Sequence, residues 1–233
     1  MSKDIREIPE EIYLKNYKLH LCIDIVYING MTFLVSIDRE IRFRLIVHLK
    51  KRAKSLLYEG LDKIIRVYNN AGFRIKVILA DNEFRPLLED VEDNMGIQFN
   101  YTNAEEHETY IERNNRTIEE RCRTAYHDLP YNNVPKILIK HMAIDQVRKC
   151  NFYPAKGGVS SYYSPRMIIK QTNIDYDKHC KYGFGSYVQA FEDNDPNINS
   201  MKPRTIDAIY LGSMENYQGG HLVVNINIWK PIK

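Results

Sequence analysis

Apolar and polar residues alternate through "YKLHLCIDIVYI", residues 17–28. Leu19, Leu21, Ile23 and Ile25 take one face, and His20, Cys22, Asp24 and Val26 take the other. A period of two predicts a strand. Asn29-Gly30 follows, a dipeptide suited to a two-residue hairpin turn, and "MTFLVSI" reads as a second strand. After a turn at Asp38-Arg39, "IRFRLIVHL" sets Ile41, Phe43, Leu45, Val47 and Leu49 on one face of a third strand. Together these predict an antiparallel meander.

The period then lengthens. Over residues 51–71, Leu56, Leu57, Leu61, Ile64, Ile65 and Tyr68 fall on one helical stripe, with Gly72 placed as a helix stop. "FRIKVILA" reads as a fourth strand, 85–94 as a short helix and "GIQFNYT" as a fifth strand. Residues 105–128 form a long charged helical segment. Pro130 and Pro135 break it, and 136–152 is helical again. Beyond 153 the chain is rich in turn formers, and "GFGSYVQAF", "RTIDAIYLGS" and "GGHLVVNINIW" read as short strands. The expected class is α/β. Three antiparallel strands followed by helix, strand, helix, strand, helix is the order of the ribonuclease H-like fold: a mixed five-stranded sheet flanked by helices, here with a small C-terminal β-rich module. The expected divisions are a tail at 1–16, a core at 17–170 and the module at 171–233.

Composition adds little to this picture. The 233 residues are 44% hydrophobic and 27% charged, ordinary for a globular chain. No run approaches a membrane span, so no membrane partner is expected. The opening "MSKDIREIPEEIYLKN" is too polar for a signal peptide, which predicts an intracellular protein. Cys22, Cys122, Cys150 and Cys180 stand far apart, so free thiols are expected rather than a zinc site or a disulfide framework.

Charge changes the picture more. Residues 39–76 carry 11 Lys/Arg against 3 Asp/Glu, and residues 81–108 carry 1 Arg against 9 acids. The basic run suits a polyanion, although solvated helix faces are also built this way.

Two acids stand out. Asp24 lies mid-strand between Ile23 and Ile25, where an unpaired carboxylate is costly and needs a partner. Asp81 closes the fourth strand in "ILADNEF". An Asp there serves a turn or a metal. The first and fourth strands should be neighbours in the predicted sheet. A third carboxylate would come from the long helix, where Glu108, Glu112, Glu119 and Glu120 are candidates. Glu112 lies nearest the helix start, on a stripe with Arg116, Glu119 and Arg123; such a stripe also forms by ordinary i,i+4 pairing on a solvent face.

The segments "LCIDIVYINGMTFLVSIDREIRFR", "ILADNEF", "HETYIERNNRTIEERCR" and "SPRMIIKQTNIDYDKHCKYGFGSYVQAFEDND" resemble the integrase region of copia-type retrotransposons. "MKPRTIDAIYLGSMENYQGGHLVV" resembles the small β segment that follows that core. The likeness runs in order from about residue 19 to about residue 230. It implies a ribonuclease H-like catalytic core with two aspartates and a glutamate as metal ligands. By motif these fall on Asp24 in "CIDI", Asp81 in "ADNEF" and Glu112, just before an Arg-x-x-Arg-Thr stretch. The implied chemistry is phosphoryl transfer on DNA with Mg²⁺ or Mn²⁺ as cofactor. Two ions roughly 3.5–4 Å apart would activate the attacking oxygen and steady the leaving one. Asp24 would bridge them, and the three acids are expected to converge. The attacker would be water when an element end is trimmed and a DNA 3′-hydroxyl when strands are joined.

Arg116, one turn beyond Glu112, is the first candidate for a phosphate contact, followed by Arg113 and Arg123. Lys50, Lys51, Arg52 and Lys54 form a second candidate surface. The implied partners are DNA, both element ends and target, and a second copy of the chain. The implied location is the nucleus or cytoplasmic virus-like particles.

The sequence also departs from the family pattern. Two glycines usual between the second aspartate and "EF" are absent. "TNAEEHE" replaces a Pro/Gln/Asn/Gly-rich stretch, and no His/Cys zinc module precedes the core. These departures support an alternative, a catalytically silent DNA-binding or self-associating remnant. A ribonuclease H-like nuclease that cuts without joining is a third reading.

Overall fold

A computed structural model describes residues 7–102, 109–191, 201, 203–215 and 219–232. Its elements in chain order are α1 (Glu10–Asn16), β1 (Lys18–Ile28), β2 (Met31–Asp38), β3 (Arg44–Leu49), α2 (Lys54–Asn70), β4 (Arg74–Asp81), α3 (Leu88–Met95) and β5 (Gln98–Thr102). They continue with α4 (Thr109–His127), α5 (Lys136–Cys150), α6 (Pro165–Lys170), α7 (Tyr176–His179), β6 (Tyr187–Phe191), β7 (Thr205–Ser213), β8 (His221–Asn225) and β9 (Pro231–Ile232). A 3₁₀ turn, Asn82–Leu87, joins β4 to α3.

The first five strands form one sheet in the order β3-β2-β1-β4-β5. β1, β2 and β3 pair antiparallel, whereas β4 runs parallel to β1 and β5 parallel to β4. This is the ribonuclease H-like arrangement that the element order predicts. The alternation in β1 divides the core. Leu19, Leu21 and Ile23 pack with Leu57, Leu61, Ile64 and Tyr68 of α2. Cys22 and Val26 pack on the opposite side with Ile111, Ile118 and Cys122 of α4 and Met142 and Val147 of α5. The sheet is thus covered on both faces, as parallel strands require.

β3 begins later than its alternation suggests, at Arg44 instead of Ile41. The buried Asp38 carboxylate accepts the backbone N–H groups of Ile41 (2.5 Å), Arg42 (3.0 Å) and Phe43 (2.9 Å). Those amides therefore close a tight loop instead of joining a ladder. Tyr68 donates its hydroxyl to Asp38 at 3.2 Å. Burial, above all, lifts the Asp38 carboxyl to about 6, and the Glu40 charge adds to the rise, while the three amides pull it down. Residues 10–16 of the expected N-terminal tail are helical. Tyr13 packs its ring at a tilt against Phe73 and donates its hydroxyl to the Gly72 carbonyl at 2.7 Å, so α1 docks beside the start of β4.

The second sheet is antiparallel, in the order β6-β7-β8-β9. Ile209 and Leu211 of β7 and Val224 of β8 pack with Leu138 of α5. Polar contacts reinforce this seam: Arg148 of α5 bonds both Asp145 and the Ser213 carbonyl. Gly212 makes room for it. Its φ is +142°, and a Cβ there would stand 2.6 Å from an Arg148 terminal nitrogen.

Candidate metal and DNA site

Cys22 of β1 lies opposite Leu79 of parallel β4. Two residues further along each strand, on the same face, stand Asp24 and Asp81. The register therefore sets Asp24, just past the last β1–β4 pair and midway along β1, beside Asp81, the last residue of β4, near the end of the parallel pairing, where open α/β sheets commonly bind ligands. β1 is also the strand at which pairing changes from antiparallel to parallel.

The Asp24 carboxylate is held from two directions. Its own chain neighbour Ile25 donates a backbone N–H at 2.7 Å. Asn115 of α4 donates its side-chain amide at 2.5 Å. Burial pushes the Asp24 carboxyl up to about 6. The negative charges of Asp81 and Glu83 push in the same direction, against the Ile25 and Asn115 hydrogen bonds. Glu83, on the 3₁₀ turn just past Asp81, is raised by burial and by Asp81 and lowered by Arg52, which it bonds. Arg52 also donates to the Tyr27 hydroxyl at 3.0 Å. It so ties the end of β1 to the turn after β4.

α4 places Glu112 in its first turn, where it is exposed. The α4 residue that reaches Asp24 is Asn115, one turn further on. Among the described residues, no group of three His, Cys, Asp or Glu side chains is arranged to hold a metal ion. Glu108 lies outside the described residues; Glu119 and Glu120 are exposed further along α4. Asp24 and Asp81 nevertheless suit a hard divalent cation in donor type and charge. Two neighbouring carboxylates, one of them raised in part by the other, lose their mutual repulsion when a cation sits between them.

The proposed phosphate contacts separate into two kinds. Lys50, Lys51, Arg113 and Arg116 are exposed. Arg52 and Lys54 are exposed too, but pair with Glu83 and Asp90 of the acidic stretch, the latter at 2.9 Å. Arg123 pairs with Glu120 at 2.5 Å on the solvent side of α4. The charge segregation seen along the chain is thus partly cancelled in space.

Sequence reasoning missed Asn115. The signal was its spacing: it lies three residues before Ile118 and four after Ile111, beside the buried α4 stripe. Glu83, the second acid that ends "ILADNEF", is also a neighbour of the aspartates, although the motif assigns a ligand role to Asp81 alone.

No family model matches the chain, and no curated protein matches it. Among solved structures, the catalytic core domain of BIV integrase is similar. The two are 13% identical, with a TM-score of 0.49, over 65% of this chain and 93% of that one.

Proposed function

We propose that the protein is an integrase-like polynucleotidyl transferase of copia type that acts on DNA phosphodiesters. The observation that carries this reading is the Asp24–Asp81 pair. The two acids lie side by side on adjacent parallel strands, and the Asp24 carboxyl is raised to about 6 by burial and by its acidic neighbours. The ordered likeness of the sequence segments to copia-type integrases supports it further.

In this reading Asp24 and Asp81 are the principal ligands of Mg²⁺ or Mn²⁺, with Glu112 completing the set from α4. Such an ion, when bound, supplies activation of the attacking oxygen and relief of charge on the leaving one. The chain's own residues do the rest. Asn115 and the Ile25 amide fix the Asp24 oxygens, so little reorganisation is needed on binding. Arg116, Arg113, Lys50 and Lys51 are exposed cations that would track the DNA backbone. Arg52 would join them only by leaving Glu83. The site works in the nucleus or in virus-like particles, and a second copy of the chain would help to hold two DNA ends.

A specific observation favours the alternative of a DNA-binding remnant without catalysis: Glu112 is exposed, and an amide rather than a third carboxylate meets Asp24. One experiment separates the two. The protein is incubated with labelled element-end DNA and Mn²⁺, and products are resolved for trimming and joining. Joined products that vanish in Asp24→Asn and Glu112→Gln support the transferase. Salt-sensitive binding of the same DNA with neither trimming nor joining supports the remnant.

A further inference from the structure

A second candidate site is lined by residues other than Asp24 and Asp81. A cavity of about 160 Å³ opens between the edge strand β3, α5, α6 and the turn that follows β7. Its walls carry four cationic side chains, Arg44, Arg148, Arg166 and Lys170, and a single carboxylate, Glu215. Leu45, Ile46 and Val147 supply apolar wall.

The three arginines are held in place. Arg166 is only 3% exposed. Its guanidinium is fixed by the Thr172 carbonyl (3.0 Å), the Thr172 hydroxyl (3.0 Å) and the Asn173 carbonyl (3.2 Å). Arg148 is pinned by Asp145 and the Ser213 carbonyl. Arg44 donates its Nε to Asn114 at 2.8 Å. Burying a fixed guanidinium is costly unless its N–H groups are satisfied. One is not: the Arg148 Nε is buried and makes no hydrogen bond. The Glu215 carboxylate stands 3.7 Å from it, beyond hydrogen-bond length, and is shared with Arg166 at 3.3 Å. Asp145, behind the wall, is already matched by Arg148 and by Lys149 at 2.7 Å. The wall therefore has more positive charge than its acids neutralise, and a buried donor without an acceptor.

We propose that this cavity binds a small free oxyanion of the phosphate class. Preorganised guanidinium groups match the geometry of phosphate oxygens. The volume decides the size of the ligand: pockets for nucleotide- or drug-sized molecules occupy about 300–1,000 Å³, and this one is smaller. The ligand would displace Glu215 from Arg148 and Arg166, taking its place as the acceptor beside both guanidinium groups, with Lys170 at the rim.

The test uses the intact protein with inorganic phosphate as probe. Binding is followed by calorimetry and by melting temperature, against chloride at matched ionic strength. Phosphate should bind and stabilise, and chloride should not. Lys170→Glu, at the exposed rim, should weaken binding about tenfold, and Glu215→Gln, which removes the competitor, should tighten it about tenfold. Lys63→Glu, an exposed change on α2, should leave it unchanged. Each variant is referred to its own melt in chloride, so altered stability does not enter. The proposal fails if phosphate stabilises no more than chloride, or if Lys170→Glu leaves binding unchanged. It also fails if Lys63→Glu weakens binding as much, which would mark diffuse attraction. A shift that depends on Lys170 and appears with duplex DNA but not with phosphate would also overturn it, by assigning these cations to a nucleic-acid surface. Should Glu215→Gln not fold, the Lys170→Glu and Lys63→Glu pair decides alone.

Discussion

Asn115 Nδ2 lies 2.5 Å from Asp24 Oδ2, joining the second turn of α4 to the middle of β1 across 91 positions of sequence. The other Asn115 atom, Oδ1, is buried with no hydrogen-bond partner. One side chain thus supports the carboxylate and leaves an acceptor beside it.

This contact makes the pH response of Asp24 a measurable quantity. A carboxyl raised from 3.8 to about 6 binds its proton more tightly in the folded chain than in the unfolded one. Stability from this group is therefore full below about pH 4 and is lost as pH rises through about 6. Asp24→Asn removes that loss and keeps an acceptor for Asn115. Because Asp24 is part-exposed, solvent screening reduces the full effect to about 1 kcal/mol. The metal-free variant should melt about 2–4 °C above the parent at pH 7.5 and level with it at pH 4. An equal loss of stability at both pH values would make Asp24 a structural residue.

Asp38 should behave in the opposite way despite a similar carboxyl shift. It accepts three backbone amides and the Tyr68 hydroxyl in a fully buried loop. Asp38→Asn turns an amide group toward donors, so it should cost about 2–4 kcal/mol at pH 7.5. Tyr68→Phe, which removes one donor and leaves the carboxylate its three amides, should cost about 1 kcal/mol. Urea unfolding of the two variants checks the ranking; a harmless Asp38→Asn would mean that the loop does not depend on the charge.

These two aspartates show what the pattern of residues reveals and what it hides. Asp24 was legible because alternation placed it inside a strand, and Asp81 because a run of apolar residues ended on it. Register then follows, since parallel neighbours bring equivalent strand ends together. Asp38 looked like an ordinary turn residue, because burial of a loop depends on Tyr68 arriving 30 positions later. Asn115 was hidden for a similar reason. Helical spacing shows that a residue lies near the buried stripe, but not which strand it will meet. The basic run at 50–54 was legible as charge, and its partners were not, because Glu83 and Asp90 approach only once β4 is in place.

That pairing ranks the basic residues. Each phosphate contact contributes about 0.9 to the slope of log affinity against log salt on duplex DNA. Lys50→Gln with Lys51→Gln should lower DNA affinity and reduce the slope by about 2. Arg52→Gln should change the slope by less than 1, because its guanidinium is already engaged by Glu83 and Tyr27. Fluorescence anisotropy over a salt series measures both. A larger loss of slope from Arg52→Gln than from the lysine pair would mean that DNA displaces Glu83.

Metal binding separates the roles of Asp24, Asp81 and Glu112. If the two aspartates hold Mg²⁺ or Mn²⁺, the ion binds the folded chain alone and raises its melting temperature as concentration exceeds the dissociation constant. Asp24→Asn and Asp81→Asn should each abolish most of the shift, since each removes one of two adjoining charged oxygen donors. Glu112→Gln is the informative variant. Glu112 is exposed, so the substitution should leave metal-free stability within about 0.5 kcal/mol of the parent. Any reduction in the Mn²⁺ shift then reports ligation directly. A shift reduced by Glu112→Gln means that the first turn of α4 brings its carboxylate to the aspartates on loading. A shift unchanged by Glu112→Gln but lost in Glu83→Gln would assign the third carboxylate to the turn after β4, next to Arg52. If Mn²⁺ stabilises none of these proteins, including the parent, the acids at the strand ends hold no metal and the transferase reading falls.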